Sequence, residues 1–189
     1  MIILLPAFGI LGLLFLLRKF LAPFMKVWVI VRHAKSSWSN PKLEDIERPL
    51  NKRGKRDAPF MAKLLHGKSF SPDLLLTSPA LRALTTAEHF AKQWKLDDEK
   101  LQIKEEIYEA YPEDLIRMAR KFPDNLDTVF LFGHNPTITD IANRYTEDYI
   151  ENVPTCGIIV LQADIEKWKD LNISNTRLQA FFYPKQFFN

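Results

Sequence analysis

The hydrophobic pattern changes character several times along the chain, and each change predicts an element. Residues 26–31 (KVWVIV) form an unbroken apolar run rich in β-branched side chains. Such a run fits a strand buried on both faces at the centre of a parallel sheet. Residues 32–50 are polar and contain Pro41 and Pro49, so they read as a loop. Residues 51–66 become helical towards their end, with Gly67 as the stop. A short strand follows at 74–76. Ser78-Pro79 then predicts a helix with proline in its first position and apolar residues at Leu81, Leu84, Ala87 and Ala91. Residues 101–103 predict a further strand. Residues 112–121 predict a short helix with acids in the first turn and bases in the last. Residues 128–132 (TVFLF) are a second fully buried strand, and Asn135-Pro136 opens a helix to about Tyr145. Strands at 156–162 and 176–183 complete the pattern, and Pro184 ends the last. Strands alternating with helices predict an α/β fold, a three-layer sandwich around a mostly parallel central sheet.

Residues 1–24 stand outside this alternation. Ile2 to Leu17 carry no charge, and the only charges before Met25 are Arg18 and Lys19. A spanning helix needs about 20 apolar residues, and this run is shorter. Three readings stay open. One is a cleaved signal, which lacks a basic start and a small-x-small site. Another is a membrane anchor, with Arg18 and Lys19 holding the globular part in the cytoplasm. The third is an extension from a mis-assigned start, with the natural chain beginning at Met25. The expectation is therefore a cytoplasmic domain at 25–189 behind a hydrophobic leader at 1–24. Any membrane contact or tether would run through the leader alone.

Composition narrows the classes. A chain of 189 residues that is 47% hydrophobic supports one domain with a full core. A net charge of +3 does not point to nucleic acid. A single cysteine, Cys156, excludes an internal disulfide framework and a cysteine-rich metal site.

In sheets of this kind, ligands lie beyond the carboxyl ends of the strands. Three predicted strand ends carry notable residues: Arg32-His33, then Ser78-Pro79-Ala80-Leu81-Arg82, then Gly133-His134-Asn135-Pro136. Two imidazoles, two guanidiniums and two helix starts suit a phosphoryl group. Arginine matches phosphate oxygens with paired donors, and helix N-termini add N–H donors. One neutral imidazole can attack phosphorus. A second, protonated, can stabilise charge on the equatorial oxygens. No metal and no other cofactor is implied, because two arginines supply the positive charge that a metal would bring.

Each residue alone has a plainer explanation: His33 as a loop histidine, His134 as a helix cap, Arg82 as a surface residue. Their coincidence at strand ends carries the reading. His66 and His89 read as structural, and Trp38 as loop packing. The run Lys52-Arg53-Lys55-Arg56 reads as a solvated helix start, interrupted by Gly54 and followed by Asp57.

Four segments together resemble a known family. They are Val31-Arg32-His33-Ala34-Lys35-Ser36-Ser37-Trp38, Arg48-Pro49-Leu50-Asn51-Lys52-Arg53-Gly54, Ser78-Pro79-Ala80-Leu81-Arg82-Ala83 and Gly133-His134-Asn135-Pro136. In this order they resemble the histidine phosphatase superfamily, and within it the small SixA-type phosphohistidine phosphatases. The likeness runs from Met25 to about Lys185. It implies a phosphoglycerate mutase-like fold and a covalent mechanism. His33 would take the phosphoryl group, and Arg32, Arg82 and His134 would complete the pocket. Ala34 stands where the superfamily usually has glycine, as is common in SixA-like members. Many esterases of the superfamily use a carboxylate to protonate the leaving group. By the pattern Ile107-Tyr108-Glu109, Glu109 is nearest that position, with Glu106 as fallback and Asp114 less favoured.

The sequence thus leads to a metal-independent phosphatase acting on phosphohistidine in a protein or on a small phosphoramidate. Alkoxides need a proton to leave, whereas a phosphorylated imidazole carries a labile P–N bond and a ring that is itself protonated. The alternatives are a small phosphomonoesterase with Glu109 as acid, and a non-catalytic phosphate-binding module. A nucleotide-binding protein is poorly supported, since no Gly-rich phosphate loop follows a strand.

Overall fold

In the computed structural model, residues 25–188 are described, and the leader at 1–24 lies outside the described residues. Ten regular elements follow in chain order: β1 Lys26–Arg32, α1 Lys52–His66, β2 Leu74–Thr77, α2 Leu81–Trp94, β3 Leu101–Ile103, α3 Pro112–Ala119, β4 Thr128–Gly133, α4 Thr137–Arg144, β5 Ile158–Ala163 and β6 Thr176–Phe182. They build a 6-stranded sheet in the order β3-β2-β4-β1-β5-β6. β1, β2, β3 and β4 run parallel, while β5 pairs antiparallel with β1 and with β6. The expected α/β sandwich with a mostly parallel sheet is therefore the fold.

β1 shows why the apolar run needs both faces covered. Trp28 and Ile30 pack on one face with α3 and α4 through Leu115, Ile116, Ile138 and Ile141. Val27, Val29 and Val31 face α1 and α2 through Met61, Leu65, Ala87 and Phe90. The strand's two-residue period sends alternate side chains into two separate cores.

Three local expectations are corrected. Pro79 precedes its helix, which starts at Leu81, with the Ser78 hydroxyl accepting from the Ala80 N–H at 3.2 Å. Pro136 is likewise the cap of a helix that begins at Thr137. Cys156 belongs to a turn at φ 61° and not to β5. The membrane-tethered localisation is corrected too. Among the described residues no helix is long and apolar enough to cross a membrane. The longest, α1, has 15 residues and spans about 22 Å, against a hydrocarbon core of about 30 Å. The leader on which that expectation rested falls outside the described residues.

The loop after β1 is fastened at both ends. Ser36 bridges Leu50, Ser37 N–H donates to the Pro49 carbonyl at 2.8 Å, and Asn51 N–H donates to the Lys35 carbonyl at 2.9 Å. The Asn51 side chain then caps α1 by accepting from Gly54 N–H at 2.9 Å. Gly54 permits this approach. A Cβ there would meet the Lys35 carbonyl oxygen at 2.3 Å. The glycine that interrupts the basic run is thus a contact point for the loop behind His33. The run itself is locally paired, with Arg53 donating to Thr155 at 3.0 Å and Arg56 pairing with Asp57 at 2.7 Å. Gly54→Ala is expected to destabilise the fold by about 1–3 kcal/mol through overpacking, measured by denaturant unfolding, and to displace the loop behind His33.

Candidate active site

The carboxyl ends of β1, β2 and β4 lie side by side, with Arg32 opposite Gly133 and Thr77 opposite Phe132. This adjacency gathers residues from three distant segments. His33 N–H donates to the Gly133 carbonyl at 3.0 Å, and Ser78 N–H to the Phe132 carbonyl at 3.0 Å. Ala34 N–H donates to Thr86 Oγ1 at 3.0 Å, and that hydroxyl donates to the Arg82 carbonyl at 2.6 Å. The loop carrying His33 is thereby tied to the first turns of α2.

The rings of His33 and His134 have centroids 5.1 Å apart. His33 Nδ1 lies 2.7 Å from the Ala34 carbonyl, which can only accept, so Nδ1 carries the proton and Nε2 keeps its lone pair. His134 Nε2 is 2.8 Å from Ser78 Oγ, and its Nδ1 is 3.5 Å from Arg82 Nη2. Guanidinium is a pure donor, so Nδ1 accepts and Nε2 bears hydrogen. Arg32 Nη1 donates to the Val153 carbonyl at 2.7 Å and to Asn152 at 3.2 Å. The Nε atoms of Arg32 and Arg82 are buried without a protein partner. All four strand-end residues singled out in the sequence therefore share one site.

Electrostatics keeps both imidazoles neutral. Burial is the main cause for His33, partly offset by the hydrogen bond to Ala34; the His134, Arg82 and Arg32 charges add to burial and bring its pKa to about 3. For His134, burial and then Arg82 dominate, Asp45 opposes them, and its pKa falls to about 4. In the ligand-free protein, burial and then the neighbouring guanidinium charge disfavour a further cation at His134.

Glu109 is exposed and makes no side-chain hydrogen bond or ion pair with Arg32, His33, Arg82 or His134 among the described residues. It lines a cavity of about 200 Å³ whose other walls include Tyr108, Tyr111 and His134. A larger cavity of about 690 Å³, between the β2–β3 edge and α3, shares Tyr108 and Glu109 but holds none of the four clustered residues.

The carboxylate that does enter the cluster is Asp45. Its Oδ2 is 2.7 Å from Arg82 Nη2 and accepts from the Tyr108 hydroxyl at 2.7 Å. Its Oδ1 accepts from Arg48 Nε at 3.0 Å and Nη2 at 2.5 Å. Burial pushes the Asp45 carboxyl up, but hydrogen bonds from Tyr108, Arg82 and Arg48 and the Arg82 charge outweigh it, leaving a pKa of about 2. Arg48 is buried and its guanidinium stacks 3.5 Å from the centre of the exposed Trp38 ring. Sequence reasoning missed Asp45, Ser78 and Tyr108 as site residues. Asp45 sits among Glu44 and Glu47 in a loop without periodicity, so only its three-residue spacing to Arg48 could have marked it.

Comparison with known proteins places the fold among relatives. An uncharacterised protein of Mycobacterium tuberculosis is 30% identical over 165 residues, covering 82% of this chain and 100% of that one. A solved structure assigned as the phosphohistidine phosphatase SixA of Agrobacterium tumefaciens superposes with a TM-score of 0.69 at 27% identity, covering 84% of this chain and 98% of that one. A mycobacterial glucosyl-3-phosphoglycerate phosphatase superposes with a TM-score of 0.60 at 12% identity, covering 82% and 97%, a likeness of fold alone. The family model of the histidine phosphatase superfamily, branch 1, matches residues 28–148. With its paired histidines at neighbouring strand ends and that match spanning the central strands, the chain belongs to the histidine phosphatase superfamily.

Proposed function

We propose that residues 25–189 form a phosphatase domain of the SixA type, separate from the leader at 1–24. Its substrate is phosphohistidine on a protein, or a small phosphoramidate. The observation that carries this reading is the pair of neutral imidazoles 5.1 Å apart, beside two arginines whose Nε atoms are buried and unpaired. In the first step, His33 Nε2 attacks phosphorus. A new P–N bond forms as the substrate's P–N bond breaks, and the leaving imidazole keeps its own proton. Water then attacks the phosphohistidine on His33, which releases inorganic phosphate and restores the neutral ring. Arg32 and Arg82 hold the phosphoryl oxygens. A phosphoryl dianion in the pocket offsets the guanidinium charge and favours an imidazolium at His134.

The nitrogen leaving group fits the carboxylates. Asp45, with a pKa of about 2, is ionised and has no proton to give. A protonated imidazole needs none, whereas an alkoxide does. A second reading, an esterase, draws on the place of Glu109 in the wall of the cavity it shares with His134.

His33→Ala is expected to abolish turnover and the acid-labile, base-stable phosphoenzyme trapped by rapid quench; full activity in that variant refutes the mechanism. Arg82→Ala should keep its fold by circular dichroism and lose about 10²–10³ in kcat/KM. A phosphohistidine peptide and an alkyl phosphate compared on Glu109→Gln separate the two readings. An unchanged rate on both supports the phosphoramidate reading, and a steep loss on the ester alone supports the esterase. A histidine whose folded pKa is lowered stays in its neutral, nucleophilic form as pH falls below the ordinary value of about 6.5. After correction for substrate ionisation, kcat/KM should lose activity through His33 only as pH approaches about 3; a His33-dependent limb near the ordinary value contradicts the site described.

A further inference from the structure

We infer that Asp45 is the positioning residue of the phosphate pocket: it grips the terminal edge of the Arg82 guanidinium and leaves the Nε-bearing edge for the phosphoryl group. The inference rests on the phosphatase reading above and extends it to a residue outside the four strand-end groups. Arg82 is held at two points by one residue. Nη1 donates to the Asp45 main-chain carbonyl at 2.5 Å, and Nη2 lies 2.7 Å from its Oδ2. Two contacts on one edge of a planar fork fix its orientation. What remains is Nε, which is buried and has no protein partner.

Asp45 is itself held from both sides of the site. Arg48, on the same loop, donates two hydrogen bonds to Oδ1, and Tyr108, from the segment between β3 and α3, donates to Oδ2. Each carboxylate oxygen thus takes two donors, which fills the usual capacity of the group. A filled, ionised carboxylate neither donates a proton nor accepts one from substrate; its action passes through Arg82. It also sets the charge of the pocket. With both imidazoles neutral, Arg32, Arg48 and Arg82 against Asp45 leave two positive charges, which matches a phosphoryl dianion. Tyr108 adds a geometric link, because its ring stands edge-on to His134 with centroids 5.5 Å apart. The carboxylate therefore joins the loop after β1, the start of α2 and the wall beside His134.

The test compares wild type with Asp45→Asn, which keeps the main-chain carbonyl and the side-chain size but removes the charge. Titration calorimetry with orthophosphate should show Kd weakened about tenfold, and KM for a phosphohistidine peptide should rise by a similar factor with a smaller change in kcat. NMR titration of the His134 ring should move further down, because Asp45 raises that pKa. General loosening of the site would admit water and move it up towards the ordinary value. Unchanged Kd and KM, or an upward shift at His134, overturns the inference. Should Asp45→Asn fail to fold by circular dichroism, Tyr108→Phe removes one of the donors. A rise in Kd of about threefold is then expected, and an unchanged Kd overturns the proposal. Wild-type protein that binds orthophosphate but turns over no phosphoramidate refutes the activity and leaves the positioning role standing. Wild-type turnover with an indifferent Asp45→Asn refutes the positioning role alone.

Discussion

Burial of two imidazoles beside positive charge at the ends of β1, β2 and β4 is the constraint around which this site is organised. Three guanidiniums share the region with two imidazoles, and an imidazolium among them would be expensive. Burial first, and then that charge, lowers the pKa of both rings, to about 3 for His33 and about 4 for His134. Burial and that repulsion together leave His33 Nε2 with a free lone pair. The guanidinium charge also leaves a net positive hollow for a phosphoryl dianion. One carboxylate, Asp45, pairs with two of these guanidiniums, Arg48 and Arg82. It is exposed by 48% at the side chain yet holds a partner that is exposed by only 6%.

Buried scaffolding makes this crowding tolerable. The apolar run of β1 fills two cores at once, so the strand that ends in Arg32-His33 is fixed on both faces. Thr86, inside α2, joins Ala34 to Arg82 with one hydroxyl. Gly54 lets α1 press against Lys35. Each of these residues bears on His33 through the backbone of β1 or of the loop after it.

Much of this was legible in the sequence for a definable reason. Unbroken apolar runs at β1 and β4 fit central strands, and in such sheets ligands lie beyond the carboxyl ends, where the following polar residues fall. That logic brought out Arg32, His33, Arg82 and His134 without coordinates. It failed where function depends on contacts between loops. Asp45 has no periodicity around it, and its partners Arg82 and Tyr108 are far along the chain. Glu109 could be placed by pattern but not by exposure, and it stands in the wall of a cavity that His134 also lines. Helix starts at Pro79 and Pro136 were read too early. Proline marks the approach to a helix as well as its first turn, and here the preceding Ser78 and His134 are spent on each other.

The turn that opens β5 has a consequence for evolution. Cys156, in its left-handed conformation, donates its main-chain N–H to the carbonyls of Arg32 and His33 at 3.0 and 3.1 Å. Gly133 holds the His33 N–H from the other side, and Thr86 holds the next residue. Three independent anchors triangulate the backbone that carries His33. Insertions or rewriting in surface segments remote from these anchors can therefore accumulate while the His33 ring stays where it is, so a lineage can vary its periphery without rebuilding this centre.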